Sequence, residues 1–417
     1  MSASADRLAR ALSTLKGHYP EEIELSLGRI ERLLNGLGNP HHHLPPVIHV
    51  AGTNGKGSTC AFLRAMAEAA GLRVHVFTSP HLVRFNERVR LAGDLISDEG
   101  FAIVLERVKA SLGTAQITHF EATTAAALLA FSEVPADLLV LEVGLGGRFD
   151  ATNVILSPAV SVICPVDIDH KQFLGDTLDA IAAEKAGIIR PGVPVVSAAQ
   201  RPEAARVIAD EAEAQGAPLH GIDRKDFDAI PHRLSLKGTH QRANAALAAK
   251  ALKTWGDLRI SDQAVLSGAA RADWPARLQR LPSGPITDRA QGAEVWLDGG
   301  HNPHAAKAVA EVLGQMPGRL ALVTAMMASK DAQGFFKPFA SLEPDLFTCP
   351  NSEGHLGKTP EDLVDAAWSA GFSRAWSFGC FSSAFEAAAR SGADRILICG
   401  SLYLAGDVLA LNLTPPR

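Results

Sequence analysis

Short apolar runs alternate with alanine-rich stretches of helical periodicity through almost the whole chain. That alternation leaves few folds open, because strands separated by helices pair in parallel and bury both faces of their sheet under those helices. Pro46–Ala51 (PVIHVA) reads as a buried strand, Thr59–Ala70 as a helix closed by Gly71, and Val74–Phe77 as the next strand. Ala122–Phe131 follows as a helix, Leu138–Glu142 and Ala159–Cys164 as strands, Thr177–Ala186 as a helix, and Val193–Ser197 as a strand. Between 268 and 292 the pattern breaks at Pro275, Pro282, Gly284, Pro285 and Gly292. It restarts with strands at Glu294–Asp298, Leu320–Thr324, Asp345–Thr348 and Arg395–Cys399, and with helices at Pro303–Gly314 and Glu361–Ala370. Two α/β domains are therefore expected, over 1–285 and 286–417.

Composition removes other classes. With 47% hydrophobic and 20% charged residues, the chain is not disordered. No apolar run approaches the length of a spanning helix, so no membrane partner is expected. A net charge of −5 argues against a general nucleic-acid binder but not against an anionic ligand in a local pocket. Cysteines 60, 164, 349, 380 and 399 are scattered, which excludes a disulfide scaffold. The opening segment reads as an amphipathic helix without the apolar core of a secretory signal, a transit peptide being the alternative. A cytoplasmic protein is expected. His41-His42-His43, between two prolines, reads as a solvated turn rather than a metal site.

The sharpest local feature is Ala51-Gly52-Thr53-Asn54-Gly55-Lys56-Gly57-Ser58-Thr59, between a strand and a helix. Glycines let successive backbone N–H groups turn onto phosphate oxygens, the helix N-terminus favours an anion, and Lys56 can reach the outer phosphates. The spacing departs from G-x-x-x-x-G-K-[ST], since two residues separate Gly52 from Gly55 and Gly57 intervenes before Ser58. The strand–loop–helix setting still favours a nucleotide, and with it a P-loop ATPase-like parallel sheet in the first domain and a Rossmann-like second domain.

The segment HVAGTNGKGST resembles the loop of folylpolyglutamate synthases and dihydrofolate synthases, within the Mur-type ATP-dependent ligases. The resemblance continues in the family's order through Thr78–Leu82, Phe85–Arg88, Phe120–Ala125, Leu141–Asn153, Asp169-His170 and Leu174–Thr177. Glu184–Ile188, His240-Gln241 with Asn244, Ala276–Leu278, Asp298–Pro303 and Gly400–Tyr403 complete it, covering nearly the whole chain.

Glu142, at the carboxyl end of a strand beside the loop, is where a Mg²⁺ ligand belongs. The resemblance implies two magnesium ions held by Ser79, Glu142 and His170, with Lys185 carbamylated as an anion that organises the site. Read alone, His170 is a satisfied histidine and Lys185 a solvated lysine on an alanine-rich helix. Thr53, Asn54, Gly55, Lys56, Gly57, Ser58, Asn244, Arg277, Asp298 and His301 resemble the nucleotide contacts, while Leu27, Gly28, Phe120, Glu121, Phe149 and Asp150 resemble the pteroate-holding segments. Where the family usually has Ala, this chain has Gly300, which is expected only to loosen the turn.

The implied reaction is ATP-driven amide formation, with Lys56, Glu142, His170 and Lys185 as its catalytic set. A substrate carboxylate takes the γ-phosphoryl group of ATP, and L-glutamate displaces phosphate from the acyl phosphate. Dihydropteroate and folates are the acceptors of a bifunctional enzyme of folate biosynthesis and one-carbon metabolism, expected to be a monomer. The alternatives are a folylpolyglutamate synthase alone, a Mur-type peptidoglycan ligase, or a nucleotide switch without ligase chemistry. The roughly 45 residues before the loop are too few for a Mur substrate domain.

Overall fold

The structure, a computed structural model, describes residues 3–19, 26–352 and 354–416. They form two compact units. The first comprises Met1–His81, Asn86–Ser235 and Arg242–Asp273; the second comprises Leu82–Phe85, Leu236–Gln241 and Trp274–Arg417. The long continuous segment of the second unit thus starts at Trp274, ahead of the break expected near 285, because β9 (Gln279–Arg280) already pairs with β10 (Glu294–Leu297).

In the first unit the strands are β1 (Val47–Ala51), β2 (Val74–Phe77), β3 (Val89–Leu91), β4 (Asp94–Leu95), β5 (Leu138–Glu142), β6 (Val160–Ile163), β7 (Val195–Ser197) and β8 (Leu219–Gly221). Their order across the sheet is β4-β3-β2-β5-β1-β6-β7-β8. All neighbours are parallel except at β3 and β4, which turn back antiparallel at one edge. Strands β1 and β5 are buried at every position, as continuous apolar runs must be when helices cover both faces. On one face Ile163 and Val195 pack with Ile181, Ala182 and Ala186, and with Ala204, Ile208 and Ala212.

β1 lies between β5 and β6, with Val50 level with Glu142 and Ala51 level with Ile163. The chain passes from β1 to β2 on one side and later crosses from β5 to β6 on the other, so the carboxyl end of β1 is a switch point, where an open α/β sheet leaves a crevice.

The second sheet runs β13-β12-β11-β14-β10-β9, with β11 (Leu320–Thr324), β12 (Asp345–Thr348), β13 (Ala375–Ser377) and β14 (Arg395–Cys399), all parallel but for β9. Its core follows the two-residue period of a strand. Val295, Leu297, Ala321, Val323, Ile396 and Ile398 enter one cluster. Trp296, Leu320, Leu322, Leu346, Leu397 and Cys399 enter the other.

Helix boundaries show what periodicity alone leaves out. The helix expected from Thr59 begins at Lys56, because Gly55 at φ 88° takes the N-cap position and the helix grows directly from the loop. The helix expected from Ala122 begins at His119, started by a capping box between Thr118 and Glu121. His41 and His42 sit in a 3₁₀ turn, Pro40–His42, and His41 is half-buried. The opening amphipathic helix is Ala3–Leu15, which buries Leu8, Ala11 and Leu15; residues 20–25 lie outside the described chain. Among the described residues no helix is long and apolar enough to cross a membrane.

Candidate active site

The loop after β1 is pulled onto the segment after β6. The Thr53 and Asn54 N–H groups donate to the Pro165 carbonyl at 2.9 and 3.2 Å. The Thr53 hydroxyl donates to the Asp167 carbonyl at 2.9 Å and accepts the Asp167 N–H at 3.1 Å. Gly52 has φ +144°, and a Cβ there would stand 2.5 Å from the Cβ of Cys164. A Cβ on Gly55 would stand 2.6 Å from Asn244 Oδ1, which places Asn244 against the loop. Lys56 opens the helix and folds back, donating from Nζ to the carbonyls of Gly52 at 3.0 Å and Thr53 at 3.4 Å. Ser58, in the same first turn, is buried.

Glu142 is buried at the end of β5, and one carboxylate oxygen accepts the Ser79 N–H at 3.3 Å. These two expected metal ligands therefore meet. His170 caps the short helix Lys171–Leu174 in a left-handed conformation, with its N–H on Asp169 Oδ1 at 2.8 Å and its ring partly exposed. Among the described residues no three His, Cys, Asp or Glu side chains gather as a metal site. The expected set is of another kind, built from one hydroxyl, one carboxylate, one imidazole and Lys185.

Lys185 overturns the bland reading of a solvated lysine: it is only 4% exposed. Burial first, and the charge of Lys56 next, push its amine down to about 7, against the pull of the Asp169 and Asp150 carboxylates. Such an amine is neutral in good part near pH 7, which is the form that adds CO₂. The buried Cys164 thiol is pushed up to about 12 by burial, and it feels Lys56, Glu142 and Lys185 together. Cys164 and Asp167 are thus built into the site although sequence reasoning passed over both. The only signal for Asp167 was its place two residues before Asp169-His170.

The segments expected at the pterin converge in part. The Phe120 ring lies where a Cβ on Gly144 would come within 2.4 Å of it, and it is tilted against Phe77 with ring centroids 6.0 Å apart. Glu121 is committed to structure, accepting the Thr118 N–H at 2.7 Å and pairing with Arg29 at 3.1 Å. That ion pair ties the helix Gly28–Gly36, which Leu27 caps, to the helix His119–Glu133. Asp150 is buried and accepts from Gly144 N at 3.1 Å, Leu145 N at 2.8 Å, and Thr152 N at 3.0 Å and Oγ1 at 2.5 Å. Burial raises its affinity for a proton and these donors oppose that. It shapes the turn after β5, while neighbouring Phe149 is 43% exposed.

In the second unit Asp298 is buried at the end of β10 and accepts from Leu278 N and Gly300 N, both at 2.7 Å. Arg277 lies between Ala276 at φ 55° and Leu278 at φ 42°, two non-glycine residues in left-handed backbone, and donates to the Ala276 carbonyl at 2.9 Å. His301 Nδ1 donates to the Gly299 carbonyl at 3.0 Å. A Cβ on Gly300 would stand 2.7 Å from Asp298 Oδ1 and 3.1 Å from the Ala305 Cβ. Glycine here makes room for the Asp298 carboxylate, beyond the loosened turn expected from sequence.

Known proteins share this organisation. The Mur ligase middle domain family matches residues 50–242, and the Mur ligase glutamate ligase domain family matches residues 277–402. The dihydrofolate synthase/folylpolyglutamate synthase of Bacillus subtilis is 35% identical, over 95% of this chain and 97% of its own. Escherichia coli FolC in complex with DHPP and ADP superposes with a TM-score of 0.86 at 32% identity, covering 99% of both chains. A bifunctional folylpolyglutamate synthase/dihydrofolate synthase with Mn, AMPPNP and L-glutamate bound gives 0.83 at 32% identity, covering 97% of both. The chain belongs to the dihydrofolate synthase/folylpolyglutamate synthase family of Mur-type ligases.

Proposed function

We propose that the protein is a bifunctional dihydrofolate synthase and folylpolyglutamate synthase, joining L-glutamate to dihydropteroate and to folates at the expense of ATP. The observation that carries this reading is the glycine loop at the carboxyl end of β1, flanked by buried Glu142 on β5 and the Cys164–His170 segment after β6, in a chain similar from end to end to bifunctional relatives. Gly55, Gly57 and Ser58 offer backbone N–H groups and a helix N-terminus to the nucleotide phosphates, while Thr53 and Asn54, whose N–H groups are held by the Pro165 carbonyl, set the path of the loop around them. Lys56 leaves the loop carbonyls to neutralise the outer phosphate. Asn244 closes the loop, while Arg277, Asp298 and His301 supply the contacts of the second unit.

The residues suit a divalent ion: Ser79 and Glu142 meet, hard oxygen donors predominate, and Lys185 as a carbamate would add an anion beside His170. When bound, two magnesium ions would screen the phosphate charge. Asp150 holds both ends of the Gly144–Gly147 turn, accepting the Gly144 N–H and donating its own N–H to the Gly147 carbonyl, and Phe120 presents a ring on which a flat pterin can stack. Leu27, Gly28, Glu121 and Phe149 frame that region. The substrate carboxylate attacks the γ-phosphorus and ADP leaves; the amine of L-glutamate then attacks the acyl carbonyl, losing a proton as phosphate departs. The protein's part is positioning and charge neutralisation. The first unit carries the pterin and the phosphate loop, and the second, from Trp274 onward, the glutamate ligase function together with its own nucleotide contacts. We place the protein in the cytoplasm as a monomer, a location that suits its five free cysteines.

Mass spectrometry of the products tests the reading. Incubation with ATP, magnesium and L-glutamate should convert dihydropteroate to dihydrofolate and should add glutamyl residues to tetrahydrofolate. A chain that converts only the folate is a folylpolyglutamate synthase alone.

A further inference from the structure

The ladder between β6 and β7 ends with Ile163 level with Ser197, after which Ala198 N–H donates to the Ile163 carbonyl at 2.9 Å. Beyond that point β7 no longer pairs with the chain after β6, which keeps only the Cys164 N–H bond to the Ala51 carbonyl of β1, at 2.8 Å, on its other side. In this segment, Cys164–Asp167, the Pro165 and Asp167 carbonyls nevertheless are the acceptors from which the phosphate loop hangs. A backbone that positions a ligand loop needs a partner, or it moves with solvent.

Gln200 supplies that partner from a side chain. Its Nε2 donates to the Cys164 carbonyl at 3.1 Å, with Ile163 O at 3.5 Å and Ser197 Oγ at 3.3 Å also in reach. Its Oε1 accepts the Val166 N–H at 2.9 Å. One amide thus bonds to both sides of Pro165, whose carbonyl accepts the Thr53 and Asn54 N–H groups. It does what a further residue pair of β7 would have done. The chain of contacts is short: Gln200, then 164–166, then the start of the phosphate loop. Gly52 leaves no slack in it, since its Cα faces Cys164 too closely for any Cβ.

We infer that Gln200 is a positioning residue for nucleotide binding, acting through the Cys164-Pro165-Val166 backbone on the loop at Gly52–Asn54. The inference rests on the nucleotide reading of that loop. Removing the amide leaves the Val166 N–H and the Cys164 carbonyl without their partner and frees the segment to shift. The effect falls on the phosphates first, because the loop they bind is suspended there.

The full-length wild type, Q200L and, as a control, S97A are compared for ADP affinity by calorimetry, for KM of ATP and of L-glutamate, and for melting temperature. Ser97 caps the helix Asp98–Leu112 by accepting the Gly100 N–H, so S97A removes a hydrogen bond elsewhere in the fold. Q200L is expected to weaken ADP binding and raise the KM for ATP on the order of tenfold, with the KM for L-glutamate within about twofold. S97A is expected to lower the melting temperature without changing ADP affinity. If Q200L does not fold, Q200N, with the amide one methylene short, is expected to show the same selective loss. A Q200L or Q200N protein that melts lower yet binds ADP like the wild type would overturn the inference. Failure of the wild type itself to bind ADP would overturn the nucleotide reading instead.

Discussion

Asp298 and Leu278 are joined by a 2.7 Å hydrogen bond from the Leu278 N–H to the buried carboxylate. Its other oxygen accepts Gly300 N–H, so one side chain fixes both the turn after β10 and the left-handed backbone that presents Arg277. Holding Ala276 and Leu278 there costs on the order of 1 kcal/mol each, which Asp298 must offset. Asp298→Asn puts an NH₂ group opposite one of two N–H donors. We predict a loss of about 1–3 kcal/mol in urea unfolding and a KM for ATP raised about tenfold. If Arg277→Ala adds its full effect on top of Asp298→Asn, the two do not act as one device.

Gly52→Ala meets two obstacles, a φ of +144° and the Cys164 Cβ 2.5 Å away. Together these should cost about 2–5 kcal/mol of stability and abolish detectable ADP binding. Adding Cys164→Ala cannot relieve the backbone, because alanine keeps its Cβ. The double variant should stay inactive, whereas Cys164→Ala alone should bind ADP. Calorimetric titration of the three proteins checks this.

Buried His49 and half-buried His240 set an acid limit. Burial pushes His49 down to about 3 and His240 to about 4, so both are neutral in the folded protein. The unfolded chain binds their protons near pH 6.5, so stability is intact above that pH and falls as pH drops from 6.5 toward 4 and 3. For His49 this amounts to about 2 kcal/mol at pH 5. His49→Gln, which can still donate to Thr152 Oγ1 as His49 Nε2 does at 2.9 Å, should shrink the difference in unfolding free energy between pH 7.5 and pH 5 by about that much. An unchanged difference would mean that His49 takes up a proton in the folded state.

Lys185 should make activity depend on CO₂. Its buried amine, held near 7, adds CO₂ as the neutral form and releases a proton, giving the carbamate. Degassed enzyme in CO₂-free buffer should lose most of its turnover and regain it with bicarbonate. Lys185→Ala should be inactive in both. Full activity without CO₂ would leave Lys185 acting as an amine.

Much of the sheet was legible because central parallel strands are continuous apolar runs, and the loop at 52–58 was legible because glycines and lysine share one turn. Edge strands were not: β8 is exposed at every residue and has no apolar alternation to mark it. Lys185 misled because alanine gives no sign of which helix face is buried. Arg277 sits between left-handed residues that carry no glycine signal, and Gln200 reaches a backbone 36 residues away through an amide that any surface glutamine also has. Contacts of that kind are set by the tertiary fold and leave no local pattern.

The defining property of this enzyme is ATP turnover that answers to pterin and glutamate together. Phosphate release should be measured with dihydropteroate and with tetrahydrofolate, each with and without L-glutamate. Sustained release with either pterin, and only when L-glutamate is present, is the predicted result. ATP turnover that ignored every pterin would contradict it.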